Sequence, residues 1–228
     1  MARSYAHTGS FYIRLVEAED VIAKKILQEM ARKLDKAIRL AIPNIKPHAS
    51  NVILENMLDN DVMNAINGGN LMGTLGLTAA HGMNASIEIA HMVAGSLEIK
   101  GKKVRLKGSG LQGGLTMYVQ PSNFANVLGL SEGVVEYFSK KYEAMVKLDW
   151  LNWLLTRGDD IIVGDYSFVQ KTGIGRSGLG AMAAGGVFRI PPEYSGTQDD
   201  NFITRTLLSE AVTDQLTQVL EQHILSKL

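Results

Sequence analysis

No cysteine occurs in the 228 residues. Disulfides and thiolate metal sites are therefore excluded, and cysteine usage leaves the compartment open. Net charge is absent too, because 23 Lys and Arg balance 23 Asp and Glu. A dedicated duplex-binding protein normally carries a basic excess, so that class is disfavoured, although a local basic patch is not excluded. Neutrality does little to resist self-association and is compatible with an assembly subunit. The sequence also lacks an apolar run of membrane-spanning length, and its start has no apolar signal-peptide core. The chain is expected to act where it is made, with no membrane partner. Histidines are few and scattered (His7, His48, His81, His91 and His223) without metal-ligand spacing, so no zinc site is expected.

What is present is an ordinary globular composition, 46% apolar and 20% charged, in a chain long enough to bury a core. A helix is expected from about Glu17 to Ala41. Ile22, Ile26, Met30, Leu34 and Ile38 recur every four residues, and Lys24, Lys25, Arg32, Lys33, Lys36 and Arg39 occupy much of the other face. That basic face is read first as a solvated surface, and second as a surface for an acidic neighbour or passing nucleic acid. Pro43 is expected to end the helix, with Asn44 to Pro47 as a linker. Further helices are expected over 49–66 and 85–93, with Gly68-Gly69-Asn70 as a stop and 71–77 as an apolar stretch broken by glycines.

From Leu97 the period changes to alternation. A hairpin or two short strands are expected around Lys100-Gly101-Lys102, then a strand at 115–119 that Pro121 terminates. Residues 134–147 carry a moderate helical pattern. After the Trp-rich turn (Trp150, Leu151, Trp153, Leu154, Leu155), a strand over 161–169 with a bulge at Gly164 leads to a glycine-rich connection at 173–180. Residues 181–190 form the return strand, and a closing helix spans 200–225, capped by Asp199, Asp200 or Asn201. Helices, then strands, then a helix make one α+β domain over residues 1–228, helical over 16–95, β-rich over 96–192 and helical again over 200–226. The long N-terminal and C-terminal helices would pack on a mainly antiparallel sheet with long glycine-rich loops.

No motif carries a catalytic device. Gly173, Gly175 and Gly178 match a dinucleotide-like spacing, but the residues that follow read as strand, where the phosphate-binding fingerprint requires a helix. A flexible hairpin tip with Lys171 and Arg176 exposed fits better. Arg157-Gly158-Asp159-Asp160 suits a helix-to-strand turn, and Ser177 is not in a nucleophile elbow. The two tryptophans read as core. The loop from Pro191 and Pro192 through Tyr194 to Thr197 is either a plain turn or a pre-extended arm for a partner. The terminal Ser226-Lys227-Leu228 matches a peroxisomal import signal and is read as the chance end of an amphipathic helix.

Taken together, Trp150-Leu151-Asn152-Trp153-Leu154-Leu155 with Gly158-Asp159, Ile161-Ile162-Val163 with Tyr166, Gly175-Arg176-Ser177-Gly178 with Ala181-Met182, and Pro191 through Arg205 resemble head–tail connector proteins of tailed bacteriophages, the neck or tail-completion subunits. Residues Gly69 to Leu77 resemble a further element of that family. The resemblance covers roughly half the chain and is weakest over 97–147. It implies a virion structural subunit, not an enzyme and without cofactor, assembled in the host cytoplasm. The subunit would form a homo-oligomeric ring, commonly hexameric, joining the portal or adaptor protein to the tail tube or terminator, with DNA passing non-specifically through the lumen. A head-to-tail ring contact needs two different patches. Those expected here are the Pro191–Thr197 loop and the 173–180 tip, with Arg176 and Arg205 as polar anchors. The alternatives are a small enzyme or nucleotide-binding protein using the 173–180 cluster, and an adaptor that binds a peptide at its sheet edge.

Overall fold

The computed structural model describes residues 19–121, 123–139 and 143–228. His7 and the expected helix start before Glu19 lie outside them. The class is α+β, with a long N-terminal helix, antiparallel strands and a C-terminal helix.

Helix α1 runs Glu19–Leu58 without stopping at either Pro43 or Pro47. The expected break at Pro43 is thus overturned, and the reason is burial. Ala41, Ile45, Ala49, Ile53 and Met57 continue the four-residue apolar period and are all essentially inaccessible to solvent. Each proline removes one helical hydrogen bond, a loss of about 3 kcal/mol in a helix interior. Both prolines stand on the exposed face, as do Arg39 and Pro43, whose carbonyls lose their partners. Water can therefore take over those acceptors.

Four further helices close the body. Helix α2 (Asp61–Ile66) is capped by Asn60, which accepts from the Val62 amide at 2.8 Å. Helix α3 (Asn70–Leu75) ends at Gly76, whose φ of 65° is left-handed, and α4 (Ala79–Gly95) starts from the Thr78 cap. Helix α5 is a single turn, Ala125–Leu128.

The strands form three antiparallel pairs. Strand β1 (Glu98–Lys107) pairs with β2 (Gly110–Tyr118), and their turn lies at Gly108-Ser109, not at the expected Lys100 to Lys102, which instead precedes a register shift within β1. The helical pattern expected over 134–147 is overturned, because the described residues on either side of 140–142 are strands. Strands β3 (Val135–Ser139) and β4 (Ala144–Leu148) form a hairpin in which Glu136 and Lys147 face each other, their ion pair closing at 2.8 Å. The doubled apolar residues Val134-Val135 mimic a helical face, but β-branched and aromatic side chains are satisfied equally well by a pleated ribbon.

Helix α6 (Trp150–Thr156) buries Trp150 completely, with its indole N–H donating to the Glu132 carbonyl at 2.9 Å. Strands β5 (Val163–Gln170) and β6 (Gly180–Phe188) form the third pair, with the expected irregularity at Gly164 and Asp165. The closing helix is two helices, α7 (Phe202–Leu207) and α8 (Glu210–Leu225). Asn201 starts the first through a capping box with Thr204, and Ser209 caps the second. Helices α4, α7 and α8 pack on α1, and α6 joins the same continuous core.

Candidate docking site

The β5–β6 hairpin leans over α3, and between them lies a groove of about 520 Å³. Phe168, Met182 and Phe188 from the hairpin and Trp153 from α6 make its apolar surface, while Tyr137, Thr74 and Arg176 contribute polar atoms. Trp153, read from the sequence as core beside Trp150, is only half-buried and faces this groove.

Glycines let the hairpin come this close. A Cβ on Gly180 would overlap the Phe168 ring and the Val169 carbonyl, and one on Gly175 would overlap the Gly180 carbonyl. The 173–180 connection is a loop closed by its own backbone hydrogen bonds. The Lys171 amide donates to Leu179 at 2.9 Å, Gly173 to Gly178 at 2.7 Å and Gly180 to Ile174 at 3.1 Å.

Arg176 stays exposed, as expected, while its side chain reaches back from that loop to the groove. Its Nε donates to the Gly76 carbonyl at 2.6 Å, and its guanidinium carbon lies 5.3 Å from the Tyr137 ring centroid. Burial pushes its pKa below the ordinary value and nearby Tyr137 pulls it back up, but a guanidinium remains a cation. Arg176 therefore fastens the hairpin to the α3 cap in addition to facing the groove. The loop is followed directly by strand β6 and not by a helix, so the glycines lack the context a dinucleotide-binding turn requires.

Pro191, Pro192, Tyr194 and Arg205 do not line the groove. Pro191 accepts from the amides of Tyr194 and Ser195 at 2.9 and 3.0 Å, which closes a turn and rules out a pre-extended arm. Tyr194 packs partly buried against the core. This turn is stitched to the α6–β5 connection: Gly158 donates to Gly196 at 2.8 Å, and Arg157 bridges to Thr197. The Arg157-Gly158-Asp159-Asp160 segment is thus the helix-to-strand turn expected, with Gly158 at φ 54°. Arg205 forks onto Asp200 at 2.7 and 3.0 Å, and that hydrogen bonding holds the Asp200 carboxyl below its usual range.

The hairpin leaves apolar side chains exposed both toward the groove, at Val163 and Met182, and away from it. Val163, Tyr166, Val169, Met182 and Val187 are between 37% and 49% exposed, and each of the two strands has an unpaired edge among the described residues. Exposed apolar ribbon with free edges is a surface for strand addition or side-by-side docking. The sequence located the hairpin but could not show that its apolar side chains would be left uncovered. Among the described residues, no group of three His, Asp or Glu side chains is arranged to hold a metal ion, and no helix is long and apolar enough to cross a membrane. Comparison with family models, curated proteins and solved structures returns no match.

Proposed function

We propose that this chain is a virion structural subunit of a tailed phage, a neck or tail-completion protein that assembles into a homo-oligomeric ring. In this reading the ring, expected to be hexameric, joins the portal or adaptor to the tail tube or terminator, and duplex passes through its lumen. The family rests on the motif resemblance between Trp150 and Arg205. The observation that carries the assembly is the β5–β6 hairpin, an apolar ribbon with two free edges beside an apolar groove. A head-to-tail contact needs two different patches, and the groove on one side and the hairpin edges with Val169 and Val187 on the other offer such a pair.

The test is native mass spectrometry with negative-stain imaging of the purified chain. A closed ring with a central hole is expected, either alone or on addition of portal-proximal and tail partners. A chain that stays monomeric with all of them overturns the proposal. The groove volume favours one rival, a small-molecule ligand, and thermal shifts with nucleotides and common cofactors separate it. A site occupied at a hundredfold excess over its Kd stabilises by about 2.7 kcal/mol, whereas the ring reading expects no shift.

A further inference from the structure

The neutral chain is strongly polarised. Residues 24–46 and 98–118 together hold 12 of the 23 Lys and Arg but only three of the 23 Asp and Glu. They carry a formal +9, and the remainder carries −9. These two segments lie against each other, because α1 packs on β1 and the Asp35 carboxylate accepts from the Val104 amide at 2.9 Å.

The cations are ordered. Lys25, Arg32, Arg39 and Lys46 recur every seven residues, so they lie along one flank of α1 over about 31 Å at 1.5 Å per residue. On β1, Val104 is buried and Ile99 and Leu106 are half-buried, which leaves Lys100, Lys102, Lys103, Arg105 and Lys107 outward. Two adjoining hollows, of about 450 and 350 Å³, run between helix and strand and share Ile42. Arg39, Lys102 and Lys103 line the first, Lys46 and Lys100 the second.

Acidic groups do not neutralise this surface. The two carboxylates in the hollows, Asp35 and Glu98, are each held by one cation, Arg39 at 2.9 Å and Lys100 at 3.1 Å. Arg32 pairs with Glu29 at 2.6 Å. Lys36, Lys46, Lys102, Lys103, Arg105 and Lys107 have no carboxylate within 4.0 Å among the described residues.

We propose that the α1–β1 groove binds the phosphate backbone of duplex nucleic acid without reading its sequence. The stripe on α1 is close to one turn of duplex, about 34 Å, and a row of point cations releases condensed counterions when it meets phosphates. No Asn or Gln lines the groove, and the arginine that does, Arg39, has its guanidinium held by Asp35 at 2.9 Å, which leaves point cations suited to phosphates. An acidic protein neighbour is the competing occupant, but a protein contact of this extent is normally centred on an aromatic or arginine anchor in a pocket, and here no aromatic lines either hollow and Arg39 is already held by Asp35 at 2.9 Å. The inference extends the ring reading by assigning the surface that duplex would meet. A monomer that binds duplex through this face keeps the inference and loses the ring.

The experiment is fluorescence anisotropy of the full chain with labelled duplexes of about 30 base pairs, some three helical turns, in two unrelated sequences. Salt is stepped from about 50 to 200 mM. Equal affinity for both sequences is expected, falling steeply with salt. Replacing Lys36, Lys46, Lys102 and Lys103 together by Ala should weaken binding at least about tenfold and flatten the log–log salt slope by about one per lost phosphate contact. Replacing Lys171 and Arg189, at the hairpin, should leave binding unchanged. If the fourfold variant does not fold, Lys46→Glu alone should weaken binding in the same direction. No binding at about 50 mM salt, unchanged binding by the fourfold variant, or binding of poly-glutamate but not duplex would each overturn the proposal.

Discussion

The helical body and the β5–β6 hairpin hold their apolar side chains on opposite terms. In the body, Ile45, Ile53, Met57, Ile66, Leu71, Ile89 and Trp150 are fully buried in one continuous core. In the hairpin, Gly180 and Phe188 are the buried residues, while Val169, Met182 and Val187 stay more than 40% exposed. A two-stranded ribbon has only one face to give to its own chain and no third strand to cover its edges. The body thus closes over its apolar side chains, whereas the hairpin leaves its own uncovered among the described residues.

That contrast can be broken experimentally, and the largest effect should come from the body. Ile53→Ala leaves a cavity at a site closed on all sides, and urea unfolding should show a loss of about 3 kcal/mol. Gly180→Val should follow, at about 1–3 kcal/mol. It forces a side chain into Phe168, so the loss should be accompanied by displacement of the hairpin, visible as a changed Phe168 environment by NMR. Arg176→Ala removes the bond to Gly76 and should cost about 1 kcal/mol by thermal denaturation. The double change Met182→Ser with Val187→Ser should move stability by no more than about 0.5 kcal/mol yet abolish the ring in native mass spectra. If the serine pair destabilised the monomer as much as Ile53→Ala does, the two regions would not differ in kind. The smallest effect concerns Asp200. Its carboxyl is held below the usual range by Arg205, so the pair stabilises above that range and the contribution disappears as pH falls through the lowered pKa. An NMR titration of Asp200 should show its midpoint rising in Arg205→Ala.

The same contrast explains what the sequence disclosed. The four-residue rhythm from Ile22 through Ile38 announced α1, although Ile26 and Met30 in it stay exposed and burial begins only at Ala31. The rhythm in fact runs on through Ala41, Ile45, Ala49 and Ile53, and it outweighed the two prolines that local rules treat as a stop. The cap was legible only to within Asp199, Asp200 or Asn201, and the structure selects Asn201, whose side chain accepts from Ile203 and Thr204. The β3–β4 hairpin was not legible, since its defining contact, Glu136 with Lys147, joins residues eleven apart and leaves no local spacing. For the site, the glycine loop and the Pro191 turn could be found, but not what they touch. Arg176 bonds to a carbonyl a hundred residues earlier, and Arg205 to its own loop, so both cations placed at the expected interface also serve the fold. The partnership of α1 with the lysines of β1 is equally non-local, and each half looks like an ordinary solvated surface by itself.

Helix α1 extends past what its own molecule can shelter. Its 40 residues measure about 60 Å, against a radius of gyration of about 17 Å for a compact chain of this length. Its middle turns, around Ile45 and Ile53, lie in the core, and among Glu19 to Met30 no residue is buried. Amide protons of the middle turns can exchange with solvent only when the whole domain unfolds, while those of the first turns exchange by local fraying. A single continuous helix should therefore contain both the slowest and some of the fastest exchanging helical amides of the protein, with the gradient between them crossing Pro43 and Pro47, the two positions that have no amide proton to report.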